Sequence, residues 1–174
     1  MDPQSLDTLD RVPHGGASDP QLLDFSANTN PVSPTGVVSV YESAFSAARQ
    51  YPVDDYCEFR AAAAEYIGVS GKQIIPAPGG LAGMRLLFST VVDDGDSVAV
   101  PAPSFGEYAK EIRLQGGEPS FVDHDEIQSV DPEPHELVIV CNPNNPTGNA
   151  YCPAALRALA DRCRDADTTL LVDE

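Results

Sequence analysis

From Ser97 onward, short apolar blocks alternate with longer stretches whose apolar positions recur three and four residues apart. Ser97–Pro101, Pro119–Val122, Leu137–Cys141 and Thr168–Val172 read as buried strands, and Phe105–Gln115 and Pro153–Asp165 as helices between them. Alternating strands and helices with short links predict an α/β fold, a mostly parallel sheet flanked by helices. Asp123–His135, acidic and proline-bearing, reads as the one long surface loop. Upstream, Val37 to about Arg49 fits an amphipathic helix, and about Cys57 to Ile67 an alanine-rich helix closed by Gly68. Ile74 and Ile75 read as a short strand, and Pro78-Gly79-Gly80 opens a third helix that runs to about Val91. Residues 1–36 read as irregular, punctuated by Pro13, Pro20, Pro31 and Pro34, and no stretch repeats or is of low complexity.

Several junctions between these elements carry candidate chemistry. The run Leu137–Val140 empties into Cys141-Asn142-Pro143-Asn144-Asn145-Pro146-Thr147-Gly148. Two prolines fix φ, the glycine permits a turn, and Asn145 is held at a strand's carboxyl end, where open α/β sheets bind ligands. Ile75–Ala82 reads as a strand, a glycine turn and a helix start, whose free N–H groups and dipole suit an anion. Gly79 and Gly80 let a phosphate approach the backbone, although by themselves they read better as a plain C-cap or turn. Phe105 follows the next strand and either caps the core or offers a flat face. Asp173, ending the last strand, could equally cap a helix, and Tyr51 could be a turn aromatic. His14, in a proline-rich segment, reads by itself as a surface residue.

In this order, the motifs resemble the fold-type I (class I/II) aminotransferase family, whose members carry pyridoxal 5'-phosphate (PLP). The resemblance runs from about residue 11 to 174. It implies that the chain holds part of that family's PLP-binding large domain over 37–174, with 1–36 an N-terminal arm and part of the small domain. It also implies that Gly79, Gly80 and Leu81 cup the cofactor's phosphate and that Phe105 stacks on its ring. Asn145 would donate to the ring hydroxyl, and Asp173 would pair with the protonated ring nitrogen, keeping the cofactor an electron sink. Gly80-Leu81-Ala82 departs from the Gly-Ala-Thr-Glu or Gly-Ser-Asp-Glu of many relatives, which leaves more of the holding to backbone. Tyr51, in Gln50-Tyr51-Pro52, resembles the tyrosine that reaches across a homodimer to the neighbour's cofactor phosphate.

Pro13-His14-Gly15-Gly16 and Asp24–Pro31 resemble the family's threonine-phosphate decarboxylase branch. That resemblance places His14, Gly15 and Asn30 near the phosphate and carboxylate of a small phosphorylated amino-acid substrate. The histidinol-phosphate aminotransferase branch, which shares the Asn-Pro and Tyr-Pro elements, is the alternative, and a catalytically dead PLP-binding fragment is another. The family's lysine, which forms a Schiff base with the cofactor, lies tens of residues beyond the Val-Asp-Glu strand. Neither Lys72 nor Lys110 occupies that position, so the expected catalytic set within this chain is empty. The chain resembles the first half of an enzyme about twice its length, is expected to show no turnover alone, and is expected to hold Asp173 loosely.

Charge adds a further constraint. The 174 residues carry 27 acids against 10 bases, a net charge of −17, with the acids spread along the chain and only Lys72 and Lys110 as lysines. No basic patch is available to neutralise phosphates, so nucleic-acid binding is disfavoured. No apolar run approaches a membrane span, and the start lacks the pattern of a signal peptide, so a soluble, cytoplasmic protein is expected. Cys57, Cys141, Cys152 and Cys163 show no metal-binding or redox spacing and are expected to be small core thiols. A uniformly acidic surface points to a salt-loving setting, since such charge keeps a protein soluble by self-repulsion. The thermal midpoint is then expected to rise steeply between dilute buffer and about 1 M KCl, where the screening length falls to about 3 Å. A midpoint indifferent to salt rejects that reading.

Overall fold

The computed structural model of the protein describes residues 15, 16, 19, 21–24, 26 and 30–174. The chain falls into two compact units, one ending at Pro76 and the other running from Ala77 to Glu174. In the first unit, α1 (Val37–Ala44) continues as a 3-10 turn over Phe45–Arg49, and none of their residues is buried. Helix α2 (Cys57–Ile67) stops where Gly68 turns left-handed (φ 85°), its N–H returning to the Ala64 carbonyl, a helix ending that glycine makes without strain. Ser70 and Gln73 form a capping box around the next 3-10 turn, Gly71–Gln73. The Arg60 Nε donates to the Gly71 carbonyl at 2.9 Å and ties that turn to α2.

The short strand expected at Ile74-Ile75 does not form. Ile74 is extended (φ −99°, ψ 124°), but no neighbouring strand pairs with it. Two β-branched residues favour an extended backbone, and a strand additionally needs a hydrogen-bonded partner.

The second unit contains a four-stranded sheet of β1 (Ser97–Ala102), β2 (Glu118–Asp123), β3 (Leu137–Cys141) and β4 (Thr169–Asp173). All pairs are parallel, in the order β2-β1-β3-β4. Successive strand residues point to opposite faces, and here both faces are covered. On one face Val98, Val100, Leu137, Ile139 and Cys141 pack against Met84 and Phe88 of α3 (Gly80–Val91) and Tyr108 and Ile112 of α4 (Glu107–Gln115). On the other, Ala99, Val138 and Val140 meet Ile127, Tyr151, and Leu159 and Cys163 of α5 (Pro153–Asp165). This two-sided burial is why β1 and β3 read as continuous apolar runs. Between α3 and α4, Arg85 clamps the buried Glu111 carboxylate through Nε at 2.8 Å and Nη2 at 2.7 Å, so the burial of that charge is offset by a two-pronged pair.

Two further expectations need correction. The connection expected to be a surface loop is anchored: Ile127, in a 3-10 turn over Ile127–Ser129, is fully buried, and Arg162 donates to the Gln128 carbonyl at 2.7 Å. An isoleucine inside an acidic stretch is enough to draw the loop onto the core. Of the four cysteines, all free, only Cys141 and Cys163 are core thiols. Cys57 and Cys152 are exposed because they sit at the starts of α2 and α5. Among the described residues no helix is long and apolar enough to cross a membrane.

Ile139, fully buried in β3, is the sharper test of this core. Ile139→Ala should lower the unfolding free energy by about 2–5 kcal/mol. Leu86→Ala, at a half-exposed position on α3, should change it by no more than about 0.5 kcal/mol. Urea titration of both variants checks the contrast.

Candidate functional site

The chain leaves β1 for β2 on one side and returns to β3 on the other, so the strand order reverses between β1 and β3. At such a reversal the two following loops diverge and leave a crevice at the strands' carboxyl ends. One side chain fastens those loops together. Asn144, only 1% exposed, donates from Nδ2 to the Pro103 carbonyl at 3.0 Å and to Thr147 Oγ1 at 2.9 Å. Its Oδ1 accepts from Ser104 Oγ at 2.8 Å. The loop around it closes through Gly148 N–H to the Asn144 carbonyl at 2.6 Å and Asn144 N–H to the Asn149 carbonyl at 2.8 Å. Phe105 follows Ser104 on one wall, and the exposed Asn145 follows Asn144 on the other.

Asp173 ends β4 beside Cys141, and its carbonyl accepts from Asn142 N–H at 2.8 Å. Its Oδ2 accepts a short hydrogen bond from the hydroxyl of Tyr108, and among the described residues no hydrogen bond engages Oδ1. The loose carboxylate expected from the sequence is therefore a held one. Tyr108 is fully buried. Burial pushes its phenol well above the ordinary range, and the bond to Asp173 pushes the same way. The Phe105 ring stands edge-on to Tyr108, with centroids 5.4 Å apart and planes at 82°. One buried phenol thus supports both the aromatic wall and the carboxylate.

Helix α3 opens at Gly79 with φ 95° and ψ 162°, a conformation that favours glycine. No side chain caps this end, and the first turn holds no acid, so its N–H groups are left for another partner. A Cβ added at Gly79 or Gly80 would meet nothing within 4 Å, which leaves open space over those donors. Leu81 packs on the same apolar cluster as Phe105. Because α3 packs on the sheet and enters β1 through a short turn, its opening end faces the sheet's carboxyl side. Gly79, Gly80, Leu81, Phe105, Asn145 and Asp173 therefore share one edge of the second unit.

The remaining expected residues belong to the first unit. Tyr51 is 100% exposed. The Asn30 Oδ1 accepts from Val32 N–H at 2.9 Å, a local turn. Gly15 lies so near Ser26 that a Cβ would fall 1.7 Å from its carbonyl oxygen, and Gly16 N–H donates to Ser26 Oγ at 2.8 Å. His14 lies outside the described residues. Sequence reasoning missed Tyr108, Asn144, Ser104 and Thr147. The only signals were Tyr108's place one helical turn beyond Phe105 and Asn144's place inside the loop motif.

A hollow of about 500 Å³ lies at the opposite edge, lined in part by Asp96, Glu133, Glu136, Asp167 and His135. It has the wrong sign for an anion. An uncapped helix start, an aromatic face, an amide and a fixed carboxylate thus gather at the carboxyl edge of an α/β sheet, the edge at which such sheets bind ligands. The profile of the aminotransferase class I and II family matches residues 20–174, and the chain belongs to that family. It is 31% identical over 170 residues to the histidinol-phosphate aminotransferase of Methanosarcina mazei, covering 91% of this chain and 45% of the relative. It is 37% identical over 153 residues to a threonine-phosphate decarboxylase of Sinorhizobium sp, covering 87% and 44%. The histidinol-phosphate aminotransferase of Sinorhizobium meliloti, solved with pyridoxal-5'-phosphate, superposes with a TM-score of 0.73 at 21% identity over 81% of this chain and 40% of that one. The chain thus spans a little under half the length of these relatives.

The buried phenol sets a pH signature. Below about pH 10 Tyr108 is protonated in both folded and unfolded chains, and its contribution to stability is fully present. Above that, the unfolded phenol ionises while the folded one, its pKa raised, retains its proton. Stability should then fall by about 1.4 kcal/mol per pH unit for this proton. Tyr151, also raised by burial, adds a second loss. Tyr108→Phe should remove the first part of the slope and leave the second. An unchanged slope between about pH 10 and 11.5 in the variant contradicts this assignment.

Proposed function

We propose that this chain supplies the cofactor-binding part of a PLP-dependent enzyme acting on a small phosphorylated amino compound, with amino transfer from histidinol phosphate the better-supported reading. The observation that carries the cofactor assignment is the Asp173 carboxylate, fixed by Tyr108 through one oxygen at the edge that also holds the open helix start. The substrate reading leans on the relatives, several of which are histidinol-phosphate aminotransferases at 30–32% identity. The second reading, decarboxylation of threonine phosphate, draws on the 37% identical relative and on the Gly15-Gly16 turn. This reverses the order expected from the N-terminal motif, because relatedness across the whole stretch outweighs one short element.

The residues fit PLP in charge and shape. The free N–H groups of Gly80 and Leu81 suit its phosphate, since no side chain or acid competes there. Phe105 would cover one face of the ring and exclude water from it. Asn145 would donate at the ring hydroxyl. Asp173 would hold a proton at the ring nitrogen, and Tyr108 keeps that carboxylate aimed by donating to it. When bound, PLP supplies a cationic ring that withdraws electrons from the substrate's α-carbon. Neither lysine is assigned to the chemistry, as Lys110 faces Glu107 at 3.4 Å on α4 and Lys72 belongs to the first unit. In this reading the exposed Tyr51 serves the phosphate of a second copy.

Joined to the carboxyl-terminal half of a histidinol-phosphate aminotransferase, the chain should move the amino group of histidinol phosphate to 2-oxoglutarate. Release of CO₂ from threonine phosphate without transfer would select the second reading instead. In the active chimera Asp173→Ala should reduce kcat/KM by at least about 100-fold, and a smaller loss removes Asp173 from the site.

A further inference from the structure

Where β2 ends, Asp123-His124-Asp125 sets one imidazole between two carboxylates, and one ligand atom from each fits within a 4.8 Å span. Both carboxylates are exposed, but His124 is only 8% exposed. Its Nδ1 is buried without a hydrogen-bond partner, a condition that in folded proteins points to strain, a water or an ion. Asp123 Oδ1 lies 3.4 Å from that nitrogen, yet no hydrogen bond joins them. A separation of 3.4 Å is the edge of a tetrahedron whose centre lies about 2.1 Å from each corner, the bond length of Zn²⁺ to imidazole and carboxylate. One ion can therefore bond both atoms where a single proton does not.

The other ring nitrogen is already provided for. Asn149 Nδ2 bonds to it at 3.2 Å and also donates to Asp125 Oδ1 at 3.2 Å, and that carboxylate oxygen stands 3.3 Å from Nε2 with no hydrogen bond between them. Histidines that bind metals through one nitrogen donate the other N–H to a carboxylate, which fixes the tautomer.

We propose that Asp123 and His124 bind a divalent transition ion of the Zn²⁺ class, with Asp125 orienting the imidazole. In the bound form the ion takes the Nδ1 lone pair and the ring's single proton sits on Nε2, turned toward Asp125 Oδ1. Asn149 then donates to Asp125 alone, and waters complete the ion's shell. The mix of imidazole and carboxylate selects Zn²⁺ or Co²⁺ over Mg²⁺ and Ca²⁺, which prefer all-oxygen shells. The ion would brace the loop that carries Asn144 and Asn145. The Asn149 carbonyl accepts from Asn144 N–H, and the Tyr151 hydroxyl bonds to the His124 carbonyl. The site depends on no cofactor and stands apart from the functional reading above.

The test is titration of the purified 174-residue chain with Co²⁺ and with Zn²⁺, in about 0.5 M KCl and excess Mg²⁺ to suppress diffuse binding to the acidic surface. One equivalent should bind, Co²⁺ giving visible d–d absorption, and in a ¹⁵N-labelled chain Zn²⁺ should shift the Nδ1 resonance of a single histidine ring. His124→Gln and Asp123→Asn should each weaken binding by at least about tenfold. Asp161→Asn, at an exposed acid on α5 paired with Arg164, should leave it unchanged. Metal-free melting curves report whether each variant folds, and the ¹⁵N shift in the unmodified chain stands even if one does not. The proposal is overturned if no histidine Nδ1 moves, if Mg²⁺ displaces the ion, or if a folded His124→Gln variant binds as tightly as the parent.

Discussion

The ligand edge depends on how the two loops that diverge at the reversal of strand order are kept together. Asn144 does this with a fully employed amide: both Nδ2 hydrogens and the Oδ1 are engaged, spanning the loop after β1 and the loop after β3. A buried amide with every partner in place rigidifies its surroundings, whereas a partly satisfied one would be costly. Phe105 and Asn145 inherit their positions as chain neighbours of bonded residues. The two asparagines therefore differ: one is spent on structure and buried, which leaves the next exposed at the same strand end.

A second brace runs through α4. Tyr108 packs into the core, meets the Phe105 ring edge-on and bonds to Asp173 on β4. The same burial that makes its phenol hard to ionise makes it a dependable donor to the carboxylate. Electrostatics favour this economy. In a chain of net charge −17 few cations are available for binding an anion, and Arg85 is already committed to Glu111. Positive potential at the helix start must come from backbone dipoles, and the acid-free first turn of α3 leaves them unopposed.

Much of this was legible in the sequence, and the boundary of legibility is physical. Apolar runs covered on both faces marked β1 and β3, while helical spacing and flanking glycine or proline fixed α2 and α5 at the limits observed. Local patterns failed where the deciding partner lay elsewhere. Ile74 has the backbone of a strand and lacks a neighbour to pair with. The polar composition of the β2–β3 connection hid Ile127, whose burial is decided by α5. Gly79, Gly80, Asn145 and Asp173 could be singled out because turn chemistry and strand ends are local features. Tyr108 and Asn144 could not be given their tasks, because their partners are 65, 40 and 41 positions away.

The division between local and distant also explains why motif and relatedness rank the substrate readings differently. The Gly15-Gly16 turn is shaped by its immediate setting: Gly16 N–H meets Ser26 Oγ, and Ser26 is held in turn by Asp24. A backbone constraint of that kind recurs wherever a chain must pass close to itself, whatever the ligand. Choice of substrate is a difference of affinities set by the groups that face it, and here those groups belong partly to the longer relatives' remaining half. What these 174 residues determine directly is narrower, an edge that leaves the backbone donors of a helix start uncapped and fixes a carboxylate through a buried phenol. Either reaction can be built on that edge, because both require the same withdrawal of electrons from the α-carbon and differ only in which bond the rest of the site aligns for breaking.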